Sequence, residues 1–446
     1  MAETIAKVGV ITQEKATSRS LVVVAAVLIQ LCLGALYAWS VFTPQLTLPI
    51  ADGGLFAFTK TQTQIVFSVS IAVFAIAMIF AGRWQAKSGP RIVSLVGGIV
   101  FGAGYILAGL FGKSFITQIM FIGVIGGAGI GLVYVCPVAV GMKWFPDKKG
   151  MITGLAVAGF GFGAVIWIKL AGSWGGLIES MGVLKVFLLY GIIFAAVVIF
   201  GSIWMVNPPE GWKPAGWNAN ADKKKGSAGD SRDLAPREML RRSQFYGLWA
   251  MFIFFSMAGL IVIGNIKLFG IETLTKSFSG TMSAAAAAAK ASAAAGTAMA
   301  IFYSIANGLG RIIWGTLSDR TGRKNALVIM CAFQGVMMLV FYWMGGNQYL
   351  LYLAAAIIGF NYGGGFSLFP TMTADLFGTK NVGLNYGWVF TAYGIGGIIG
   401  PIMTGIMRDR LDNWLLAFVI SGIACLVAAV IALALKPPQR DRAEVS

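Results

Sequence analysis

The chain has 446 residues, of which 57% are hydrophobic and only 11% are charged. Soluble domains carry about a quarter charged residues, so the composition excludes an ordinary soluble protein and predicts a polytopic membrane protein. The net charge of +17 does not indicate a nucleic-acid-binding protein, because most lysines and arginines lie in short turns between apolar runs. That distribution is typical of the positive-inside rule.

Apolar runs about 20 residues long predict twelve membrane-spanning helices. Six of them precede a polar stretch in the middle of the chain and six follow it. The predicted spans are residues 20–44, 62–82, 92–112, 115–142, 150–172, 183–206, 245–270, 295–316, 325–345, 348–374, 384–407 and 413–436.

The fold class predicted from this pattern is an all-α membrane protein with two pseudo-symmetric six-helix bundles. The predicted segments are a tail over 1–19, a first bundle over 20–206, a linker over 207–243, a second bundle over 244–436 and a tail over 437–446. The linker contains Pro208-Pro209 and three consecutive lysines, which is linker composition. A short surface helix is predicted over 236–244. The alanine-rich segment 279–300 is predicted to be an outer loop leading into the eighth helix.

Basic turns on one side of the predicted bundles set the orientation. Both termini share that side, which we predict to be cytoplasmic, and residues 1–18 lack the order of a signal peptide. We therefore expect a multi-pass protein of the plasma membrane, the inner membrane in bacteria. Arg408 and Arg410 fall on the opposite side and are exceptions. The basic positions are Arg83, Lys87, Arg91, Lys143, Lys148, Lys149, Arg320, Arg323, Lys324, Lys380, Arg440 and Arg442.

The turn after the eighth predicted helix reads Gly315-x-x-x-Asp319-Arg320-x-Gly322-Arg323-Lys324. It resembles the loop signature of the major facilitator superfamily. Its glycines permit a tight turn, and Asp319 can pair with a neighbouring cation, so we predict that Asp319, Arg320 and Arg323 act in gating. A degenerate copy, with Ala86 in the Asp position, follows the second helix. Parallel repeats of this kind predict a substrate site at their interface near the midplane.

Motifs inside the helices resemble the oxalate/formate antiporter family, which is akin to the monocarboxylate transporters. The resemblance covers nearly the whole chain except the tail and the central loop. It implies transport of small carboxylates. The segments that carry it are Gln30 to Ser40, Tyr134, Lys143 to Gly150, Asn307-x-x-x-Arg311, Phe369-Pro370 and Asn385-Tyr386-Gly387.

Arg311 is the main candidate for binding the substrate. An arginine at the centre of a membrane helix costs about 2.5–3.5 kcal/mol on insertion scales. Tyr303, Asn307 and Arg311 are four residues apart, so they form one polar stripe, which we expect to face the interior. An arginine binds a carboxylate through two parallel hydrogen bonds. The resemblance implies the same role, and the alternative is a side chain that snorkels to the inner headgroups.

Lys267 is the second candidate cation. It follows Gly264-Asn265, where we predict a break in the helix, and it is equally consistent with a lysine that snorkels to the outer surface. For Lys169 we favour snorkelling. Many oxalate carriers of the resembling family have a lysine where Tyr393 stands here. A site with one strong cation favours a single carboxylate over oxalate.

The remaining candidate substrate residues are one amide, which begins a motif of the resembling family, and five aromatic side chains, which align with site aromatics of that family. They are Gln30, Tyr37, Tyr134, Tyr362, Phe366 and Tyr393. The alternative role of the aromatic side chains is packing or anchoring at the membrane interface. No Asp or Glu lies in the middle of a predicted span, which argues against a cation carrier. The chain has no histidine and four cysteines without a CxxC pair, so we expect no metal and no cofactor.

The predicted function is secondary active transport of a monocarboxylate, such as lactate, pyruvate, acetate or formate, with Arg311 pairing with the carboxylate. One alternative is an oxalate/formate antiporter that uses Arg311 and Lys267. Another is a non-transporting membrane sensor. An enzyme is not expected, because paired carboxylates and histidine are missing. Exchange, proton symport and uniport all fit the sequence, and we expect a monomer that binds the lipid bilayer and a small carboxylate but no nucleic acid.

Overall fold

The computed structural model of the protein describes residues 19–145, 149–209, 233–378 and 381–435. Within these residues, twelve helices are long and apolar enough to cross a membrane. The predicted all-α architecture with twelve spans is therefore confirmed. We number these helices α1 to α12, and we call the face at which α1 begins the inner face and the opposite one the outer face.

The first six helices form the first half of the molecule. Two of them change helical geometry along their length: the last turns of α1, Gly34–Val41, are a tighter 3₁₀-helix, and α4 contains a wider π-helical segment, Ile119–Gly126. The bounds are α1 Arg19–Val41, α2 Lys60–Ser88, α3 Pro90–Phe111, α4 Phe115–Gly141, α5 Lys149–Ala171 and α6 Val183–Ser202.

The other six helices form the second half. A short helix, Pro236–Met239, precedes them, which matches the predicted surface helix in its first residues. The bounds are α7 Ser243–Phe278, α8 Ala284–Thr321, α9 Arg323–Met344, α10 Gln348–Phe377, α11 Val382–Leu411 and α12 Leu415–Ala434. Outside the described residues lie most of the predicted linker, residues 1–18 of the first predicted tail, the whole second predicted tail, Lys148 and Lys380. The predicted domain boundaries therefore stay predictions.

The predicted break in α7 at Gly264-Asn265 is wrong, because α7 is one continuous helix. Asn265 uses its amide nitrogen within the helix, donating from Nδ2 to Ile261 O at 3.0 Å. Gly264 is needed for packing: a Cβ there would lie 2.4 Å from Oε1 of Gln64 on α2. The small residue therefore marks a close contact between the two halves and not a helix end.

The prediction of a loop before the eighth helix was also wrong in extent, because α8 begins at Ala284. Ser283 caps the helix, and its side chain accepts a hydrogen bond from Ala286 N, which is a preferred way to start a helix. Ala287, Ala291, Ala294 and Ala295 form a buried stripe on the first turns of α8. Because these side chains are small, α8 packs closely against α7.

The same pairs of helices pack in the two halves: α3 lies against α6 in the first, and α9 lies against α12 in the second. The halves meet mainly along two joints, α2 against α11 and α5 against α8. Glycines make both joints close. In the first joint, a Cβ at Gly397 would lie 2.4 Å from Ile71 Cγ2. Small residues at such positions let membrane helices approach each other and slide.

Candidate functional site

Arg311 lies at the centre of the interface between the halves, on the inner part of α8. Only 1% of its surface is exposed, so the predicted snorkelling alternative does not describe this conformation. Its Nε donates to Asn307 Oδ1 at 3.1 Å. Nη1 and Nη2 have no hydrogen-bond partner among the described residues. The guanidinium therefore presents two buried donors, in the fork geometry that fits a carboxylate.

Two aromatic rings make cation–π contacts with the Arg311 guanidinium. Its Cζ lies 4.3 Å from the ring centroid of Phe366 on α10 and 5.7 Å from that of Phe160 on α5. Contacts of this kind contribute about 0.5–2 kcal/mol each. They stabilise the cation without using its N–H groups, so these donors stay free for an anion.

Asn307 and Tyr303 complete the polar stripe predicted on α8, and both are fully buried. Asn307 Nδ2 donates to Gly359 O on α10 at 3.3 Å, while its Oδ1 accepts from Arg311. The Tyr303 hydroxyl donates to Gly259 O on α7 at 3.4 Å. Asn307 therefore fixes the orientation of Arg311 relative to α10.

The five aromatic residues predicted from the sequence come together around Arg311. Tyr37 from α1 and Tyr393 from α11 bring their hydroxyl oxygens to 3.4 Å across the interface. Tyr362 and Phe366 lie with ring centroids 5.4 Å apart. Tyr134 from α4 lies, like Tyr37, close enough to the guanidinium to interact with it electrostatically. The site thus has walls from both halves.

Three phenylalanines that we had not predicted as site residues belong to the same cluster. Phe160 packs edge-on against Tyr37 with a centroid distance of 4.8 Å, and Phe74 and Phe390 are 5.3 Å apart. Phe390 also stacks on Tyr134 at 6.1 Å, on the inner side of the site. The sequence holds 31 phenylalanines, and nothing in the local pattern separates these three from the rest.

Glycines on α5 bring the second joint against the polar stripe. A Cβ at Gly161 would lie 2.9 Å from Asn307 Oδ1 and 3.0 Å from the backbone nitrogen of Gly308. Gly161 on α5 therefore packs directly on the residue that orients Arg311.

Neither Lys267 nor Gln30 forms a hydrogen bond with Arg311 in the described part of the chain. Lys267 lies eight residues beyond Gly259, about 12 Å farther along α7 towards the outer face, and its Nζ donates to Ser292 O at 2.6 Å. Gln30 is fully buried, with both amide atoms unpartnered among the described residues, and it packs against Gly159. Substrate contact by these two residues stays a prediction.

Comparison with known proteins assigns the family. A profile of the Major Facilitator Superfamily matches residues 28–298 and 276–446. The chain belongs to the major facilitator superfamily. It is accordingly a multi-pass membrane transporter, as its twelve spans and paired halves indicate.

Several characterised and uncharacterised facilitators are similar to the chain over most of its length. The oxalate:formate antiporter of Oxalobacter formigenes is 26% identical over 411 residues, which is 92% of this chain and 89% of that protein. The uncharacterized MFS-type transporter YhjX of Escherichia coli is 27% identical over 385 residues, 85% of this chain and 86% of that protein. Apicoplast pyruvate carrier 1 of Toxoplasma gondii is 24% identical, over 75% of this chain and 69% of that protein. The predicted resemblance is confirmed.

The predicted gating residues of this facilitator lie at the inner face. Asp319 pairs with Arg323 at the start of α9, and Arg323 Nε lies 3.8 Å from Asp375 Oδ2 near the end of α10. Arg323 thus links three helices of the second half. Arg320 is exposed and makes no hydrogen bond or ion pair with the part of the chain that the structure describes. The turn uses Gly322 at φ +84°, a conformation that favours glycine.

The first-half copy of this motif keeps the turn and loses the ion pairs. Gly89 adopts φ +83°, like Gly322, but Ala86 and Pro90 stand where the second half has Asp319 and Arg323. Arg91 instead donates from Nε to Ile203 O at 2.9 Å. The inner ends of the two halves are therefore fastened by different chemistry.

The outer face of the facilitator is closed by an outer ion cluster, which we define as Lys60, Glu272, Arg408, Asp409 and Asp412. Glu272 accepts from Lys60 Nζ at 2.6 Å and from Arg408 Nε at 2.9 Å. Asp409 accepts from the backbone nitrogen of Thr61 at 2.7 Å, at the positive end of the α2 dipole. Because Arg408 also pairs with Asp412, its charge on the outer face is compensated, which explains one exception to the charge rule.

Proposed function

We propose that the chain transports small organic anions, most specifically monocarboxylates such as lactate, pyruvate, acetate or formate, by alternating access. The observation that carries the proposal is Arg311, a buried guanidinium with two free donors inside an aromatic shell shared by both halves. Two relatives support the substrate class, since one carries oxalate and formate and another carries pyruvate by name.

In the proposed cycle, a carboxylate accepts hydrogen bonds from Nη1 and Nη2 of Arg311. Its charge then neutralises the guanidinium, so that both halves can close over the pair. Moving an unpaired ion out of water costs several kcal/mol, and the carboxylate offsets much of that cost. The halves then rock and separate at the other face.

A single-cation site favours monocarboxylates over oxalate. Among the described residues, the side chains around Arg311 carry hydroxyls, one amide and aromatic rings, with Tyr393 at the position where many oxalate carriers of the resembling family have a lysine. Tyr393 is fully buried and its hydroxyl faces that of Tyr37. A second carboxylate would find no cation there.

The central test replaces Arg311 and follows uptake of labelled lactate, pyruvate, acetate, formate and oxalate into proteoliposomes, with and without a pH gradient and internal substrate. Arg311→Gln is expected to reduce uptake of every transported carboxylate at least about 30-fold, because truncating one side of a buried charge pair costs roughly 2–5 kcal/mol and each 1.4 kcal/mol is tenfold. Arg311→Lys keeps the charge but loses the forked pair of donors, so it is expected to recover only a small part of the uptake.

Arg83→Gln removes an exposed inner arginine and is the matched control. Normal uptake by Arg311→Gln would refute the proposal.

Oxalate:formate exchange is the second candidate, because the antiporter relative covers 92% of this chain. Tyr393→Lys tests whether the absence of a second cation at this position is what disfavours oxalate. It is expected to increase competition by oxalate against monocarboxylate uptake by about tenfold, which is 1.4 kcal/mol. Tyr37→Lys places the same charge on the other half and serves as the comparison. Strong inhibition by oxalate in the unmodified protein would favour exchange instead.

A further inference from the structure

Two lysines from opposite halves meet at the outer part of the joint between α5 and α8. Lys169, near the end of α5, is 7% exposed. Its Nζ donates to Ser173 Oγ at 3.2 Å and, across the interface, to Thr297 Oγ1 of α8 at 3.1 Å. The hydrogen bonds of the Lys169 ammonium therefore go only to neutral hydroxyl groups.

Lys267 approaches the same turn of α8 from α7. Its Nζ donates to Ser292 O at 2.6 Å. A Cβ at position 296 would lie 3.0 Å from that amine, so Gly296 provides the room for it. Gly296 and Thr297 are consecutive, which brings the two amines to one turn, and Lys169 and Lys267 interact electrostatically.

The pair of amines has no acid counterpart in contact. Glu179, exposed on a short helix after α5, is near enough to act on Lys267 electrostatically. Neither lysine forms an ion pair with any residue in the described ranges. An ammonium has three donor protons, so donors are left over on both. Like charges brought together in a poorly solvated joint favour binding of an anion.

We propose that Lys169 and Lys267 form a second anion site, distinct from Arg311, which takes a small carboxylate at the outer entrance. Thr297 precedes Arg311 by 14 residues on α8, about 21 Å along the helix axis. When α5 and α8 separate at the outer face, both amines line the path between the halves. That the bound anion is also the transported substrate rests on the proposed function. The existence of the site does not depend on it.

The test reads the local potential without requiring transport. Ser173 is exposed and its oxygen contacts Lys169, so Ser173→Cys in a background without the four native cysteines places a thiol at the site. Its labelling rates are measured with an anionic sulfonatoethyl and a cationic trimethylammonioethyl methanethiosulfonate. Their ratio cancels any change in thiol ionisation. Lys169→Gln with Lys267→Gln is expected to lower the anionic-to-cationic ratio about tenfold, as steering by nearby charges can do.

The control is Lys290→Gln, which removes an exposed amine from the same part of α8, where it lies 4.5 Å from the Phe278 ring centroid. We expect that control to leave the ratio unchanged within about twofold. Acetate replacing chloride at constant ionic strength, in phosphatidylcholine vesicles, is expected to slow the anionic reagent several-fold only when both lysines are present. Adding phosphatidylglycerol then asks whether a lipid headgroup competes for the pair.

Three results would overturn the site. One is a ratio that does not respond to the double substitution, as expected if the lysines only fasten α5 to α8. Another is a responsive ratio without protection by acetate. A third is slowing of the anionic reagent by phosphatidylglycerol but not by acetate, which would show that the two lysines bind a lipid headgroup. In uptake assays, the double variant should raise the external KM several-fold. If no carboxylate is transported at all, the labelling results still stand.

Discussion

In the proposed transport cycle the chemistry depends on Arg311, and Asn307 orients its guanidinium. A hydrogen bond to a charged group contributes about 1.5–3 kcal/mol, and the two aromatic faces add less. Together they fall short of what water supplies to a free guanidinium. The closed site therefore favours an anion, and the direction of Nη1 and Nη2 selects a planar one.

Asn307→Asp tests this reasoning at a single atom. The substitution puts a carboxylate where Oδ1 now accepts from Arg311 Nε at 3.1 Å, so an internal anion competes with the substrate. We expect the KM for monocarboxylate uptake at neutral pH to rise about tenfold or more, which corresponds to 1.4 kcal/mol. Asn325→Asp makes the same change at an exposed position on α9. An unchanged KM in Asn307→Asp would show that Arg311 does not meet the substrate.

The sequence predicted part of this site for clear physical reasons. Charged and polar residues in an apolar helix are costly, so the stripe through Asn307 and Arg311 stands out from its surroundings. Lys267 stood out equally, but the depth of a residue along a helix does not say which neighbour it faces. Phe160 carried no signal, because apolar residues are expected everywhere in a membrane span.

At the scale of elements, the spans were predictable and their irregularities were not. Hydropathy gave all twelve helices, since each must satisfy its backbone internally in lipid. The Gly264-Asn265 pair and the alanine-rich start of α8 were misread because small residues mark either flexible chain or close helix contact. Only the neighbours decide: Gln64 occupies the space beside Gly264, and α7 covers the stripe on α8.

The α5–α8 joint makes a sharp prediction about one such glycine. Gly161→Ala would place a methyl group 2.9 Å from Asn307 Oδ1, so the joint must shift or Arg311 must lose its orientation. We expect carboxylate uptake to fall about tenfold, from an overpacking cost of roughly 1–3 kcal/mol. The measurement is initial uptake in proteoliposomes, normalised to folded protein by size-exclusion chromatography.

Gly154→Ala is the matched control on the same helix and the same joint. Its Cβ would lie 3.8 Å from its nearest neighbours, including Arg311 O, which is ordinary van der Waals contact. Uptake by this variant should stay within about twofold of the unmodified protein, since a helical glycine-to-alanine change costs little where there is room. Equal losses in both variants would contradict the role given to Gly161.

The whole molecule is closed at its two faces by different interactions. At the outer face, charged side chains of the outer ion cluster connect α2 of the first half with α7 and α11 of the second. On the inner side of Arg311, aromatic rings such as Tyr134 and Phe390 meet across the interface, while the ion pairs of Arg323 stay within one half. Ionic contacts between halves are thus confined, in the described parts of the chain, to the outer face. Changes there should bias the conformational equilibrium without touching the substrate site.

Glu272→Gln is the change that tests this bias. Glu272 joins the halves through Lys60, whereas Asp412, the residue after the end of α11, pairs with Arg408 four residues earlier in the same half. The side chains of Lys60 and Glu272 are about one-quarter exposed, so their pair contributes roughly 0.5–1 kcal/mol, and its loss should raise the outward-open to outward-closed ratio about two- to fivefold. Spin labels at Lys113→Cys, in an exposed outer turn of the first half, and at Tyr349→Cys, exposed in the first turn of α10, report this as a larger long-distance fraction in electron–electron double resonance. Asp412→Asn should leave the distribution unchanged, because it removes a negative charge without disconnecting the halves. If Asp412→Asn opens the outer face as much as Glu272→Gln does, the net charge of the cluster controls closure and the bridge from Lys60 to Glu272 does not.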